Sequence, residues 1–300
     1  MRKEAEILSH QLAPNAVLSL LDDTSAPLAT HITIPSGASV NSSATNNSTM
    51  TEFSNSLKSL ELTISPTSST QSSQQKATEL NFGTPQIDLS LPEGTLSKDG
   101  LHEFNPKHFR DQDLAFKTAL TLAAREITTS ETKPIFCFLT EDQSNLIKWL
   151  SSKEISKLGL TKENLIVITA KHTDDLLWAM EETLHTVDAV ALVAHFTLLS
   201  NISAQRLSFA SQSNKIPCLL ICNHKIDGPN HTKSKWTVWN ETEEENKGSQ
   251  ILQDGKIGLS LSQIKNEIQN ANWIIKWQAE KGRFTTSTKE TLASQSTKIH

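Results

Sequence analysis

From Pro85 to about residue 226 the chain alternates short apolar runs with longer amphipathic stretches, the pattern of parallel strands joined by helices. Pro134–Thr140 (PIFCFLT) is apolar without a break, as a strand buried on both faces requires. Leu165–Thr169 (LIVIT), Ala189–Ala194 (AVALVA) and Cys218–Asn223 (CLLICN) read the same way, and a shorter strand ends the turn-rich lead-in Leu91–Phe104. Between them, helical spacing predicts helices over Asp113–Glu126, over Asp142–Leu158 with Gly159 as its stop, and over Ser203–Asn214. A further helix is expected to be capped by Thr173, with Asp174 and Asp175 near the positive dipole end and Leu177, Met180 and Leu184 as its apolar stripe.

The flanks follow other patterns. Residues 3–22 carry helical spacing (Ala5, Ile7, Leu8, then Val17, Leu18, Leu20, Leu21) divided by Pro14, which predicts two short helices. Thr24 to about Gln75 is dense in Ser, Thr, Asn and Gln and has too little apolar area to offset the entropy of ordering it. A flexible arm is expected there, with a transient segment around Phe53–Ile64. Past residue 226, Lys235–Trp239 reads as an edge strand, followed by an acidic stretch, Glu241–Gly248. Ile257–Lys265 and Trp273–Ala279 read as a β-hairpin turning near Asn270, and residues from about Thr285 as a frayed tail. The expected division is a helical and Ser/Thr/Asn-rich arm (1–84), an α/β core (85–226), a β-rich appendage (227–284) and a polar tail (285–300).

Composition narrows the function classes. A net charge of −5 argues against a dedicated, salt-driven nucleic-acid binder, and with no tyrosine and 5% aromatics there are few stacking platforms. No run of about 18 apolar residues is present, so no membrane span is expected. The basic start at Arg2 and Lys3 lacks the apolar segment of a secretory signal, and three cysteines without framework spacing fit a reducing cytoplasm. The Asn201-Ile202-Ser203 sequon carries no meaning in that setting.

The segment between Phe104 and Leu114 sits where an α/β nucleotide-binding fold places its phosphate loop. Such a loop needs glycines to bring backbone N–H groups around phosphate, a lysine for the β/γ oxygens and Ser/Thr for magnesium. The chain has NPKHFRDQ, and against the G-x-x-x-x-G-K-T pattern it offers Asn105, Arg110, Asp111 and Gln112. An aspartate near phosphate turns an attraction into a repulsion, a term of about 4 kcal/mol per contact at about 4 Å and an effective dielectric near 20. Lys107 and Arg110 are able to hold an anion, but a plain surface loop is the simpler reading. The strand Val190–Ala194 exits at His195, not at the carboxylate that would hold magnesium; Glu141 follows its own strand, at the usual place of a catalytic glutamate. No ATP turnover, no cofactor and no catalytic residue are expected.

Cys218, Cys222 and His224 look like a ligand cluster, but strand positions four apart stand about 13 Å from each other, too far for one zinc. Buried cysteines are the expectation. The four tryptophans Trp236, Trp239, Trp273 and Trp277 are open to two readings. One is a small satellite core; the other is a partner-docking surface, since tryptophan often anchors interfaces. Lys276, Lys281 and Arg283 nearby offer contacts to DNA phosphate, with the acidic stretch opposing them.

Several strings resemble one family in order and spacing. LPEGTLSKDGLHEF (Leu91–Phe104), LGLTKENLIVITAK (Leu158–Lys171), LWAMEE (Leu177–Glu182), LSNISAQRLSFASQSNKIPCLLIC (Leu199–Cys222) and the tryptophan pairs resemble ImuA-type proteins. These are the RecA/SulA-related factors of bacterial inducible-mutagenesis cassettes. The resemblance spans roughly residues 85–284; the first 80 residues depart from it. It implies a RecA-like parallel-sheet core with a degenerate P-loop, and a non-enzymatic accessory role in damage-induced, error-prone translesion DNA synthesis. The implied partners are an ImuB-type, Y-family-like adaptor and a C-family polymerase, with self-association and direct DNA contact left open. The competing readings are a RecA-like ATPase or DNA-binding protein and a SulA-like division inhibitor.

Overall fold

A computed structural model of the chain describes residues 29–34, 51, 53–59, 80–127, 133–143, 146, 155, 157–161, 164–223, 231–241, 256–264, 267–278 and 283–286. In chain order its main elements are β1 (Thr30–Ile34), α1 (Pro85–Asp88), β2 (Gly100–Pro106), α2 (Gln112–Ile127), β3 (Ile135–Thr140) and β4 (Leu165–Ala170). They continue with α3 (Thr173–Thr186), β5 (Ala191–Phe196), α4 (Asn201–Asn214), β6 (Pro217–Cys222), β7 (Thr232–Asn240), β8 (Lys256–Ile264), β9 (Glu267–Gln278) and β10 (Arg283–Thr286). The expected helices over residues 3–22 lie outside the described residues, as does most of Asp142–Leu158; within the latter, Leu146, Ile155 and Leu158 are buried. Gly159 takes a positive φ of 72°, in keeping with a helix stop there.

The ten described strands join one mixed α/β sheet in the order β1-β4-β3-β5-β6-β2-β7-β8-β9-β10. Every pairing from β1 to β7 is parallel, and β7 through β10 pair antiparallel. In β3, β4, β5 and β6 every residue is buried, because helices cover both faces. α2 lies on one face over Ile135, Cys137, Val193 and Leu219, while α3 and α4 lie on the other over Phe136, Ile168, Leu192 and Leu220. α2 is enclosed almost all round, since the segment from Leu80 to Leu96 packs on its outer side. Arg125 ties the two together by donating to the Asn81 carbonyl at 3.2 Å.

The structure moves several expected boundaries. β7 is not an edge strand: it pairs parallel with β2 on one side and antiparallel with β8 on the other. The sheet therefore runs without interruption through the expected boundary between residues 226 and 227, and Thr84 donates to the Phe284 carbonyl at 3.1 Å. The β8–β9 connection comes before Glu267 and not near Asn270, because Glu267 already pairs with Ile264. α4 begins at Asn201, where the Ser200 hydroxyl accepts the Ser203 N–H at 3.1 Å, and α3 follows His172 without a side-chain cap. β5 runs from Ala191 to Phe196, starting and ending two residues later than expected, and so includes His195 and Phe196.

The largest difference lies in the Ser/Thr/Asn-rich stretch. Thr30–Ile34 pairs in parallel with β4 along its whole length, burying Ile32 and Ile34. Residues 53–59 are helical, with Phe53 and Leu57 buried; Phe53 meets Trp178 of α3 at a centroid distance of 5.2 Å. Composition underestimated both segments because a few β-branched or aromatic residues suffice when an existing edge or helix face completes their burial. No helix among the described residues is long and apolar enough to cross a membrane.

Candidate functional site

Because β1 to β7 run parallel, their carboxyl ends share one edge of the sheet. The β2–α2 loop, Glu141 after β3 and His195 near the end of β5 all fall there. The loop itself is tightly held. Lys107 N–H donates to the Val238 carbonyl at 2.8 Å, and Phe109–Asp111 form a short 3-10 turn that runs into α2. Lys107 to Arg110 are exposed, with Phe109 82% exposed, whereas Asp111 is buried.

Asp111 does not face solvent as a charge set to repel phosphate, as the sequence reading had it. Its carboxylate accepts the His108 N–H at 3.1 Å and the Asn240 N–H at 3.3 Å. It thus caps the entry to α2 and bolts the loop to the end of β7, occupying backbone donors of the kind a phosphate loop leaves for its ligand.

At the end of β5, His195 is buried, 2% exposed, on the α2 side of the sheet. Burial holds its imidazole near pKa 4, with Asn223 beside the ring and the charge of Asp142 offsetting part of the shift. Neither ring nitrogen has a partner in hydrogen-bond geometry, nor does Asn223 Oδ1. Glu141 and Asp142 are exposed; Asp142 accepts from the Thr140 hydroxyl, and Gln143 donates to Thr197 Oγ1 at 3.3 Å across the ends of β3 and β5. The structure brings His195 and Asp142 to one locality, yet no group of three or more His, Cys, Asp or Glu able to hold a metal occurs among the described residues.

Two buried polar clusters escaped the sequence reading. Glu103, fully buried on β2, stands 3.4 Å from the Lys235 ammonium on β7 and accepts from Asn105 Nδ2 at 3.2 Å. On the opposite face of the same strands, Trp236 Nε1 donates to the Ser234 hydroxyl at 2.8 Å, and Ser234 lies 2.7 Å from His102 Nδ1. His102 Nε2 is 2.8 Å from the Ser97 carbonyl, so it carries the proton, and Nδ1 accepts from Ser234. Desolvation by burial lowers the His102 pKa to about 4. A charged and an imidazole side chain inside an otherwise apolar strand were visible signals. Their partners were not, because they sit about 130 residues away on a strand expected at the sheet edge.

The four tryptophans divide. Trp236, Trp273 and Trp277 are buried on the α2 side, where Trp236 meets Phe82 at 5.0 Å and Trp273 at 6.1 Å, and Trp277 meets Phe284 at 5.0 Å. Trp239 lies on the other face, half-buried. A Cβ at Gly258 would come 2.0 Å from its Cε2, so the indole lies flat on the glycine. Its Nε1 donates to Glu241 at 2.5 Å, and the Lys107 ammonium stands 4.8 Å from its ring centroid. Cys137, Cys218 and Cys222 are free and buried. Burial pushes the Cys218 thiol up to about 12 and raises Cys222 as well; His224 lies outside the described residues.

No protein-family model matches the chain, and no curated protein matches it.

Proposed function

We propose that the protein is a RecA-related, ImuA-type accessory factor of damage-induced, error-prone translesion synthesis, acting through protein contacts and without ATP turnover. The observation that carries this reading is the β2–α2 loop, where a buried aspartate takes the backbone donors of His108 and Asn240 and no glycine or lysine–serine pair is present. The parallel sheet supports it too. The β2–α2 loop and the exit of β5, two places at which the resemblance sets nucleotide chemistry, share one sheet edge, and they carry Asp111 and His195 in place of the residues the task needs. The partners in this reading are an ImuB-type adaptor and a C-family polymerase, and the setting is the cytoplasm.

Two measurements test it. Affinity capture by the full-length chain is expected to retain an ImuB-type adaptor; retention of the tubulin-like division protein in its place would move the protein to the SulA-like class. Titration calorimetry with ATP and magnesium is expected to show no stoichiometric heat, and a one-to-one binding isotherm would restore a RecA-type ATPase.

A further inference from the structure

The core between the sheet and helices α3 and α4 ends at β2 and β6, and none of its residues comes from β7 to β10. Beyond that point no helix among the described residues covers the same face of the sheet. Along β7, Ser234, Trp236 and Val238 are buried while Lys235, Thr237 and Trp239 are half-buried on the open side. Across the strands, Trp239 stands opposite Gly258, which stands opposite Ile274; Thr237, Ser260 and Asn272 form the neighbouring row. Lys256 and Lys276 pair in the row beyond. The β2–α2 loop borders this floor, linked to it by the Lys107 ammonium over Trp239.

We propose that the Lys107–Arg110 loop and this open face form one strip that takes a single-stranded nucleic acid. Such ligands are held by cations that follow the backbone and by aromatic faces that stack on bases. The strip has both: Phe109, 82% exposed, as a stacking surface, and Lys107, Arg110 and Lys256 as cations, while the Trp239 indole, held between Gly258 and Lys107, braces the loop against the floor. The acids of the same region are largely engaged. Asp99 faces Lys233 at 4.0 Å, Glu103 faces Lys235 at 3.4 Å, and Glu241 accepts from Trp239. Hydroxyl and amide side chains of the middle row suit base edges and sugars. A duplex would leave Phe109 idle, because its base faces are already covered. The loop is set in advance by Asp111 and by the Lys107–Val238 bond, so Phe109 is presented without an ordering cost on binding. The glutamates at 243, 244 and 245 in the sequence work against a polyanion, so the affinity is modest and steeply dependent on salt. The inference deepens the proposed accessory role and rests on it only for the biological setting.

The test is fluorescence anisotropy with the full-length protein and labelled oligothymidylate, with oligouridylate to separate DNA from RNA and a duplex of the same length as a control. Saturable binding to a single strand is expected, weakening as salt rises, with Phe109→Ala and the pair Lys107→Gln/Arg110→Gln each lowering affinity roughly tenfold or more at unchanged melting temperature. Two results overturn the proposal: no saturable binding at low salt, or binding that those surface variants leave unchanged. Duplex bound as tightly as single strands does so as well. Binding of polyglutamate without binding of oligonucleotide also overturns it and reassigns the strip to an acidic protein partner. Failure to capture an ImuB-type adaptor would count against the accessory role alone, and the anisotropy result would stand apart from it.

Discussion

The two halves of the sheet solve the problem of covering a face in opposite ways. In β3 to β6 every side chain is buried, whereas β7 alternates buried and half-buried positions along its length. The parallel half needs crossover helices, and those helices shut both faces from water; the antiparallel half needs none, and no described helix covers its second face. Stability is thus concentrated in one half and accessible chemistry in the other, with β2 and β7 as the seam. The charged pair Glu103–Lys235 and the relay Trp236–Ser234–His102 lie on that seam.

The sharpest contrast is between two truncations. Phe138→Ala, in the parallel half and 0% exposed, is expected to cost about 3–5 kcal/mol in urea-induced unfolding. Thr237→Ala on the open face should stay within about 0.5 kcal/mol. Equal losses would mean that the open face is covered in solution.

Acid should weaken the fold next. His102 and His195 are held near pKa 4 by burial, against 6.5 in an open chain. Above pH 6.5 both are neutral in either state, so neither affects stability. Between pH 6.5 and about 4 the unfolded chain takes up protons that the native imidazoles refuse, so stability falls as pH falls; below about 4 the native groups protonate and the decline flattens. Each histidine accounts for about 3 kcal/mol across that window. His195→Leu should remove close to half of this acid sensitivity, measured as melting temperature against pH; an unchanged profile would show that His195 is wetter than its place in β5 implies.

Smaller is the effect of Asp111→Ala. It frees the His108 and Asn240 N–H groups and is expected to lower stability by about 2 kcal/mol, with faster hydrogen exchange confined to residues 107–111 and the end of β7. An increase in ATP affinity in that variant would show that the carboxylate had been masking a working phosphate site. Smallest of all, Phe109→Ala should leave the melting temperature unchanged, since the ring is 82% exposed.

The parallel half was legible from the sequence because uninterrupted apolar runs such as Pro134–Thr140 leave little choice between a strand and anything else. The antiparallel half was legible only as local pieces. Lys235–Trp239 alternates as an edge strand would, and nothing local tells that β2, some 130 residues earlier, pairs with it. The same long separation hid the seam clusters. Asp111 was identified as incompatible with nucleotide, yet its bond to Asn240 needed the three-dimensional placement of β7. For the tryptophans, the odd spacing of Trp236 and Trp239 puts them on opposite faces of one strand, but the seat of Trp239 on Gly258 depends on a pairing set by the register of β7 and β8.

β1 gives the low-complexity region a mechanical task. Its five residues satisfy the backbone of β4 from Leu165's neighbour Ile166 through Ala170, a row that would otherwise end the sheet. A chain trimmed to begin at the lead-in would leave that row of amides and carbonyls bare at the end of an apolar strand, an open template for the next molecule to pair with. β1, drawn from a stretch that composition reads as unable to order, is then the guard of the edge it covers.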